Sequence, residues 1–139
     1  MDSIGHKIAI HELLAQYCFY VDDQDWKALA ELFTEDARWV TSYADAESRD
    51  EIVNTIRSMM PPPGQGPERR HVVTSAVVLL NGSQAKARSS YVIFLESIAG
   101  VVPSVVGTYL DDLTWDGNVW RFRKREIVHH IRGDLGLRS

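Results

Sequence analysis

Two dipeptides in the second half of the chain, Asn81-Gly82 and Asp116-Gly117, each stand between long runs rich in β-branched and aromatic residues. Asn-Gly and Asp-Gly readily supply the positive φ angles of a two-residue type I′ turn, whose twist matches that of the strands it joins. They fix two hairpins. With a looser joint from Ser97 to Pro103, the segments near Arg70 to Leu80, Gln84 to Glu96, Ser104 to Trp115 and Asn118 to Ile131 read as four strands of an antiparallel meander.

The first half has another period. Ile4, Ile8, Ile10, Leu13, Leu14, Tyr17, Cys18 and Val21 recur at intervals of three and four, which predicts an amphipathic helix. Asp25 is placed to cap a short second helix carrying Trp26, Leu29, Ala30, Leu32 and Phe33, so the two helices form a hairpin. Ala37 to Tyr43 reads as a short strand, and Ser48-Arg49-Asp50-Glu51 as a capping box opening a third helix through Ile52, Val53 and Ile56. Pro61-Pro62-Pro63-Gly64 stops it. Helices first and strands afterwards imply an α+β fold, with N-terminal helices packed against a curved, mainly antiparallel sheet. The expectation is one domain over residues 1–139.

Composition narrows the function classes. With 139 residues, 45% of them hydrophobic, the chain is long enough to hold a core without disulfides or a structural metal. Cys18 is the single cysteine and offers neither an internal bridge nor a thiolate zinc site. A net charge of -4 with no basic run argues against a nucleic-acid partner. Apolar stretches such as Ala76 to Leu80 are far short of a bilayer span, and the N-terminus lacks the basic-then-apolar layout of a signal peptide. The expectation is a cytoplasmic protein with no membrane partner.

Phosphate loops, nucleophile elbows and the H-E-x-x-H helix are absent from the sequence, and His6 and His11, five apart, do not share a helix face. No metal site or cofactor is expected. Periodicity turns three ionisable residues toward the helix–sheet interface: Tyr17, Asp22 and His71. Tyr17 lies on the apolar stripe of the first helix, where its ring serves equally as core and its hydroxyl needs a partner. Asp22 ends that helix, a position the dipole disfavours for a carboxylate unless a cation or an N–H group holds it. His71 opens the first long strand, where a lone histidine is commonly a half-exposed surface group. The tandem His129-His130 points to opposite sheet faces, so at most one of the two looks into a pocket.

The segments IHELLAQYCFYVDDQDWKALAELFTEDARW, RRHVVTSAVV and WDGNVWRFRKREIV closely resemble the SnoaL-like proteins of the nuclear transport factor two-like superfamily, which includes scytalone dehydratase and bile acid dehydratase relatives. The resemblance runs over nearly the whole chain and implies a cone-shaped α+β barrel. In the dehydratase-like members a tyrosine stands five residues before an aspartate near the end of the first helix, and a histidine stands on the first long strand. Tyr17, Asp22 and His71 match these positions, Asp22 being chosen over Asp23 for its spacing to Asp25-Trp26. Arg125 matches an arginine that follows the tryptophan of the W-x-F segment by about five positions; its other reading is a surface salt bridge, while Arg121 and Arg123 read as solvated alternation.

What the resemblance implies is a cofactor-independent lyase or isomerase, dehydratase- or cyclase-like, acting on a hydrophobic hydroxylated or carbonyl compound. An aspartate bonded to one imidazole nitrogen fixes the tautomer and leaves the other nitrogen as base. The tyrosine donates to an oxygen on which negative charge develops. Trp39, Tyr43, Met59, Tyr91 and Tyr109 are the candidate substrate pocket, with Val40, Met60, Ile93, Leu95 and Val106 as further apolar residues suited to an aromatic or polycyclic ligand or to core packing. Scytalone dehydratase carries a second histidine on the second long strand, where this chain has Ser89, Ser90 and Tyr91. The alternative reading is a non-catalytic ligand-binding or subunit-assembly module. Family members commonly pair through the outer sheet face, which implies a homodimer, and the Pro61 to Pro67 loop is the natural candidate for a lid.

Overall fold

The structure, a computed structural model, describes residues 1–133. Helix α1 (Ser3–Asp22) is capped by Asp2, whose carboxylate accepts from the Gly5 N–H at 2.8 Å. Its buried face carries Ile10, Leu13, Leu14, Tyr17, Cys18 and Val21. Ile4 and Ile8 are exposed, at 68% and 56%, and do not belong to that face. At about 100° per residue, Ile8 lies some 200° around from Ile10. His6 continues the inner stripe instead, its Nδ1 accepting from Trp120 Nε1 at 3.0 Å.

Asp25 caps α2 (Trp26–Glu31) as its sequence position predicts, accepting from Ala28 N–H at 3.2 Å. That helix ends earlier than the pattern of Leu32 and Phe33 suggests, because Phe33 opens strand β1 (Phe33–Val40). The short strand expected over Ala37 to Tyr43 is thus displaced toward the N-terminus. A three-residue edge strand, β2 (Asp45–Glu47), follows antiparallel to it. Ser48 then caps α3 (Arg49–Ser58) by accepting from the Glu51 N–H.

The long strands are β3 (Arg69–Asn81), β4 (Gln84–Ser97), β5 (Gly100–Trp115) and β6 (Trp120–Arg132). They and the two short strands make one unclosed, mostly antiparallel sheet ordered β2-β1-β6-β5-β4-β3, in which only β1 and β6 run parallel. The joint expected to be loose from Ser97 to Pro103 is a tight turn. Ser97 pairs with Gly100, whose φ of 104° supplies the reversal, and Pro103 pairs with Phe94 beside a register irregularity.

Bulges decide which side chains face the helices. In β3, Thr74 pairs with Ser90 but Val77 with Arg88, so two residues oppose one and Ser75 takes φ 50°. The extra residue shifts the alternation by one, so odd-numbered His71 and Val73 share the inner face with even-numbered Val78. In β6, Asp112 pairs with Lys124 and Leu113 with Phe122, leaving Arg123 unopposed. That bulge puts Trp120 and Phe122 on the same inner face as Arg125 and Ile127. Helices and inner sheet face enclose one core cluster. No helix among the described residues is long and apolar enough to cross a membrane.

Candidate active site

Asp22, the last residue of α1, reaches the start of β3 with both carboxylate oxygens. Oδ1 lies 2.6 Å from His71 Nδ1, and Oδ2 accepts the His71 backbone N–H at 2.8 Å. These donors answer the unfavourable helix dipole at that end of α1. Both side chains are largely buried, at 12% exposure for His71 and 5% for Asp22. With Nδ1 facing a carboxylate, the neutral ring carries its proton there and leaves Nε2 as acceptor. Next in the chain, Gln24 takes φ 55° and donates from Nε2 to the Pro61 carbonyl at 2.9 Å, tying the proline loop beside the pair.

His71 lies on a cavity of about 110 Å³. Tyr17, Trp39, Tyr91 and Tyr109 line its buried side, and Tyr43 and Met59, 57% and 39% exposed, stand at its mouth. The sequence-predicted pocket residues therefore converge. Met60 and Ile93 also line the cavity, whereas Val40, Leu95 and Val106 do not. Trp39 Nε1 donates to Tyr17 Oη at 3.1 Å, which leaves the hydroxyl's own proton free to donate. Burial pushes the Tyr17 phenol up to about 12, against the opposing pull of Arg125, so it is a neutral donor at ordinary pH.

Arg69 and Ile127 also line the cavity without having been singled out from the sequence, and His129, anticipated only as one of a tandem pair, joins them. The tandem histidines divide as alternation requires: His129 lines the cavity and stacks on Tyr43 at 5.5 Å, while His130 Nε2 lies 3.0 Å from Thr108 Oγ1. Period-two alternation limited the choice to one of the pair; the bulges in β6 that set the phase left no mark in the sequence. Among the described residues no group of three His, Cys, Asp or Glu is placed to hold a metal ion.

Comparisons with known proteins identify the family and the fold. The family description SnoaL-like domain matches residues 4–126. The chain belongs to the SnoaL-like domain family. An NTF2-like protein with a cystatin-like fold from Novosphingobium aromaticivorans is 25% identical, with TM-score 0.81 over 94% of this chain and 86% of that one. A candidate scytalone dehydratase from the same organism is 20% identical, with TM-score 0.80 over 98% and 91%. The beta subunit of a candidate aromatic-ring-hydroxylating dioxygenase, again from that organism, is 20% identical, with TM-score 0.76 over 96% and 94%. Comparison with curated proteins finds no match.

In this SnoaL-like chain Arg125 neither lines the cavity nor reaches the surface, so the surface salt bridge expected as its alternative is instead a buried one. Its Nε and NH2 donate to the two oxygens of Asp111 at 2.7 and 2.9 Å, and both side chains are fully buried. The guanidinium lies 3.8 Å from the Tyr109 ring centre and 4.3 Å from those of Tyr17 and Phe122. Burial pushes the Asp111 carboxyl up and the guanidinium pulls it down. The fork geometry and a cation that does not give up its proton hold the pair ionised. Removing one partner strands the other charge in the core. Asp111→Ala is expected to lower stability by about 3–5 kcal/mol in urea denaturation, with Arg125→Met in the same background recovering part of the loss. A loss under about 1 kcal/mol contradicts this account of the pair.

Proposed function

We propose that this protein is a cofactor-independent lyase or isomerase, with dehydration of a hydroxylated carbonyl compound as the first candidate reaction. The observation that carries the reading is the 2.6 Å Asp22–His71 contact at the edge of an aromatic cavity. His71 Nε2 takes a proton from the carbon beside the substrate carbonyl. The electron pair moves onto the carbonyl oxygen, where the Tyr17 hydroxyl donates to it, and Asp22 stabilises the imidazolium. The enolate then expels the β-hydroxyl, which leaves as water with the proton from His71. In an isomerisation the same proton returns to another carbon.

Cavity size limits what enters. At about 110 Å³ the cavity is smaller than the roughly 150 Å³ engineered cavity that accepts benzene, so it encloses at most a single six-membered ring. A polycyclic substrate would leave its remaining rings at the mouth beside Tyr43 and Met59.

The same small volume favours a second reading, a ligand-binding or assembly module, and the likeness to a dioxygenase beta subunit adds to it. The outer sheet face exposes Val77, Leu79 and Leu110 beside the Lys86–Asp112 ion pair, around a cleft of about 490 Å³. Its mixed charges and apolar centre suit a second copy of the chain. Sedimentation equilibrium is expected to report a dimer, and Leu79→Glu a monomer that keeps its fold; a wild-type monomer removes the proposal. The protein is taken as cytoplasmic, which cell fractionation checks.

The enzymatic reading is tested by incubating wild-type protein with cyclic β-hydroxy ketones and hydroxylated aromatics, and following loss of water or rearrangement by mass spectrometry. His71→Ala is expected to lower turnover by about 10²–10⁴-fold and Asp22→Asn to lower it comparably, with ligand binding retained. Turnover that survives in His71→Ala removes His71 as the base, and tight binding by both proteins with no reaction in either supports the binding module instead.

A further inference from the structure

We propose that Tyr91 and His129 form a second oxygen-binding subsite on the sheet wall of the cavity, so that the ligand is a ring compound carrying two oxygen functions. The inference rests on the reading of this cavity as the ligand site and deepens it by naming the ligand class.

The register places the two residues. Val73 pairs with Tyr91, Tyr91 with Gly107, and Gly107 with His129, so these residues form one row across four strands. Gly107 presents no side chain between Tyr91 and His129. A Cβ there would stand 2.6 Å from Tyr91 Oη and 2.2 Å from the Val128 carbonyl oxygen, so glycine alone lets the phenol lie across β5 toward β6. The Tyr91 and His129 rings meet edge-on at 6.4 Å.

Both groups have hydrogen-bonding capacity to spare. Tyr91 is 1% exposed, lines the cavity, and its hydroxyl has no partner among the described residues. An unpaired buried hydroxyl costs the free protein stability that a ligand oxygen returns. His129 Nδ1 lies 3.0 Å from the Arg132 guanidinium, which has only protons to offer, so Nδ1 accepts and Nε2 carries the imidazole proton. Burial, and then the charge of Arg132, holds His129 below its ordinary 6.5, which keeps the ring neutral. Tyr43 stacked on its face at 5° fixes the ring plane. Two neutral donors thus stand together on this wall.

The first oxygen-binding group is Tyr17. The Tyr109 ring lies between the two poles, 4.3 Å from the Tyr91 ring centre and 5.7 Å from that of Tyr17. A ligand ring occupying the cavity meets donors at Tyr17 on one side and at Tyr91 and His129 on the other. Single-oxygen compounds satisfy one pole only.

The test is binding of phenol, resorcinol and hydroquinone to the full chain by calorimetry. Resorcinol or hydroquinone is expected to bind wild-type protein at least about tenfold more tightly than phenol, the difference one good hydrogen bond makes. Tyr91→Phe, which keeps the ring and its packing, and His129→Leu are each expected to erase most of that preference while leaving phenol affinity within about threefold. Dihydroxylated rings that bind no better than phenol overturn the subsite, as does a preference that survives in Tyr91→Phe. The readout is independent of turnover. A lost preference in Tyr91→Phe without reaction of any compound leaves the subsite standing and removes the catalytic reading. His71-dependent turnover with the preference intact in Tyr91→Phe does the reverse.

Discussion

The cavity floor rests on one buried ion pair. Arg125 and Asp111 face each other across β5 and β6 with no exposure, and the guanidinium is packed against Tyr17, Tyr109 and Phe122. A charge in that position persists only because the carboxylate takes two of its N–H groups and the ring faces present negative quadrupoles to its plane. The arrangement fixes the Tyr17 and Tyr109 rings from below. Tyr17 is held from the other side by the Trp39 indole, so a hydroxyl on a helix is positioned by two strands of the sheet. Arg125 therefore serves the cavity through the rings above it.

Strand bulges are the second constraint. A regular β3 would put His71 and Val78 on opposite faces, and one of the two would lose its place against the helices. The extra residue at Ser75 lets the apolar end of β3 bury Val78 while the other end turns His71 toward Asp22. Residue Arg123 does the same for β6, joining Trp120 and Phe122 to Arg125 and His129 on one face. These bulges also bend the sheet over the helices, which opens a cavity at one end of the structure and fills the other with Trp115, Trp120 and His6.

Much of this was legible in the residues. The Asp25 and Ser48 caps and the apolar stripe of α1 are local signals that form where their own chemistry directs. Both hairpins also form at their glycine signals, but not as the expected type I′ turns: Asn81 pairs with Gln84, so Gly82-Ser83 makes the first reversal, and the second spans Asp116 to Val119, with only the glycines at positive φ. The joining of Asp22 to His71 is not local, since 49 residues separate them, and it was reached only through resemblance to a family. Strand faces beyond a bulge stayed unreadable, because the shift in alternation at Ser75 or Arg123 has no compositional mark. For that reason His129 could be placed only as one of two histidines; the exposed Ile8 was counted with the buried stripe of α1 for a different reason, since it lies two residues, or about 200°, from Ile10 on the helix. The buried state of Arg125 was hidden for a related reason: its partner Asp111 lies on a neighbouring strand, and only the register brings them together.

The central claim is that Asp22 holds His71 with its proton on Nδ1 and leaves Nε2 free toward the cavity. Long-range nitrogen–proton NMR on histidine-labelled protein reads that tautomer directly in the neutral ring. The account predicts a protonated Nδ1 and an unprotonated Nε2 for His71 in the wild type, and loss of that single tautomer in Asp22→Asn. A neutral His71 with its proton on Nε2 would contradict it, because the ring would then offer the cavity a donor where the proposed chemistry requires a base.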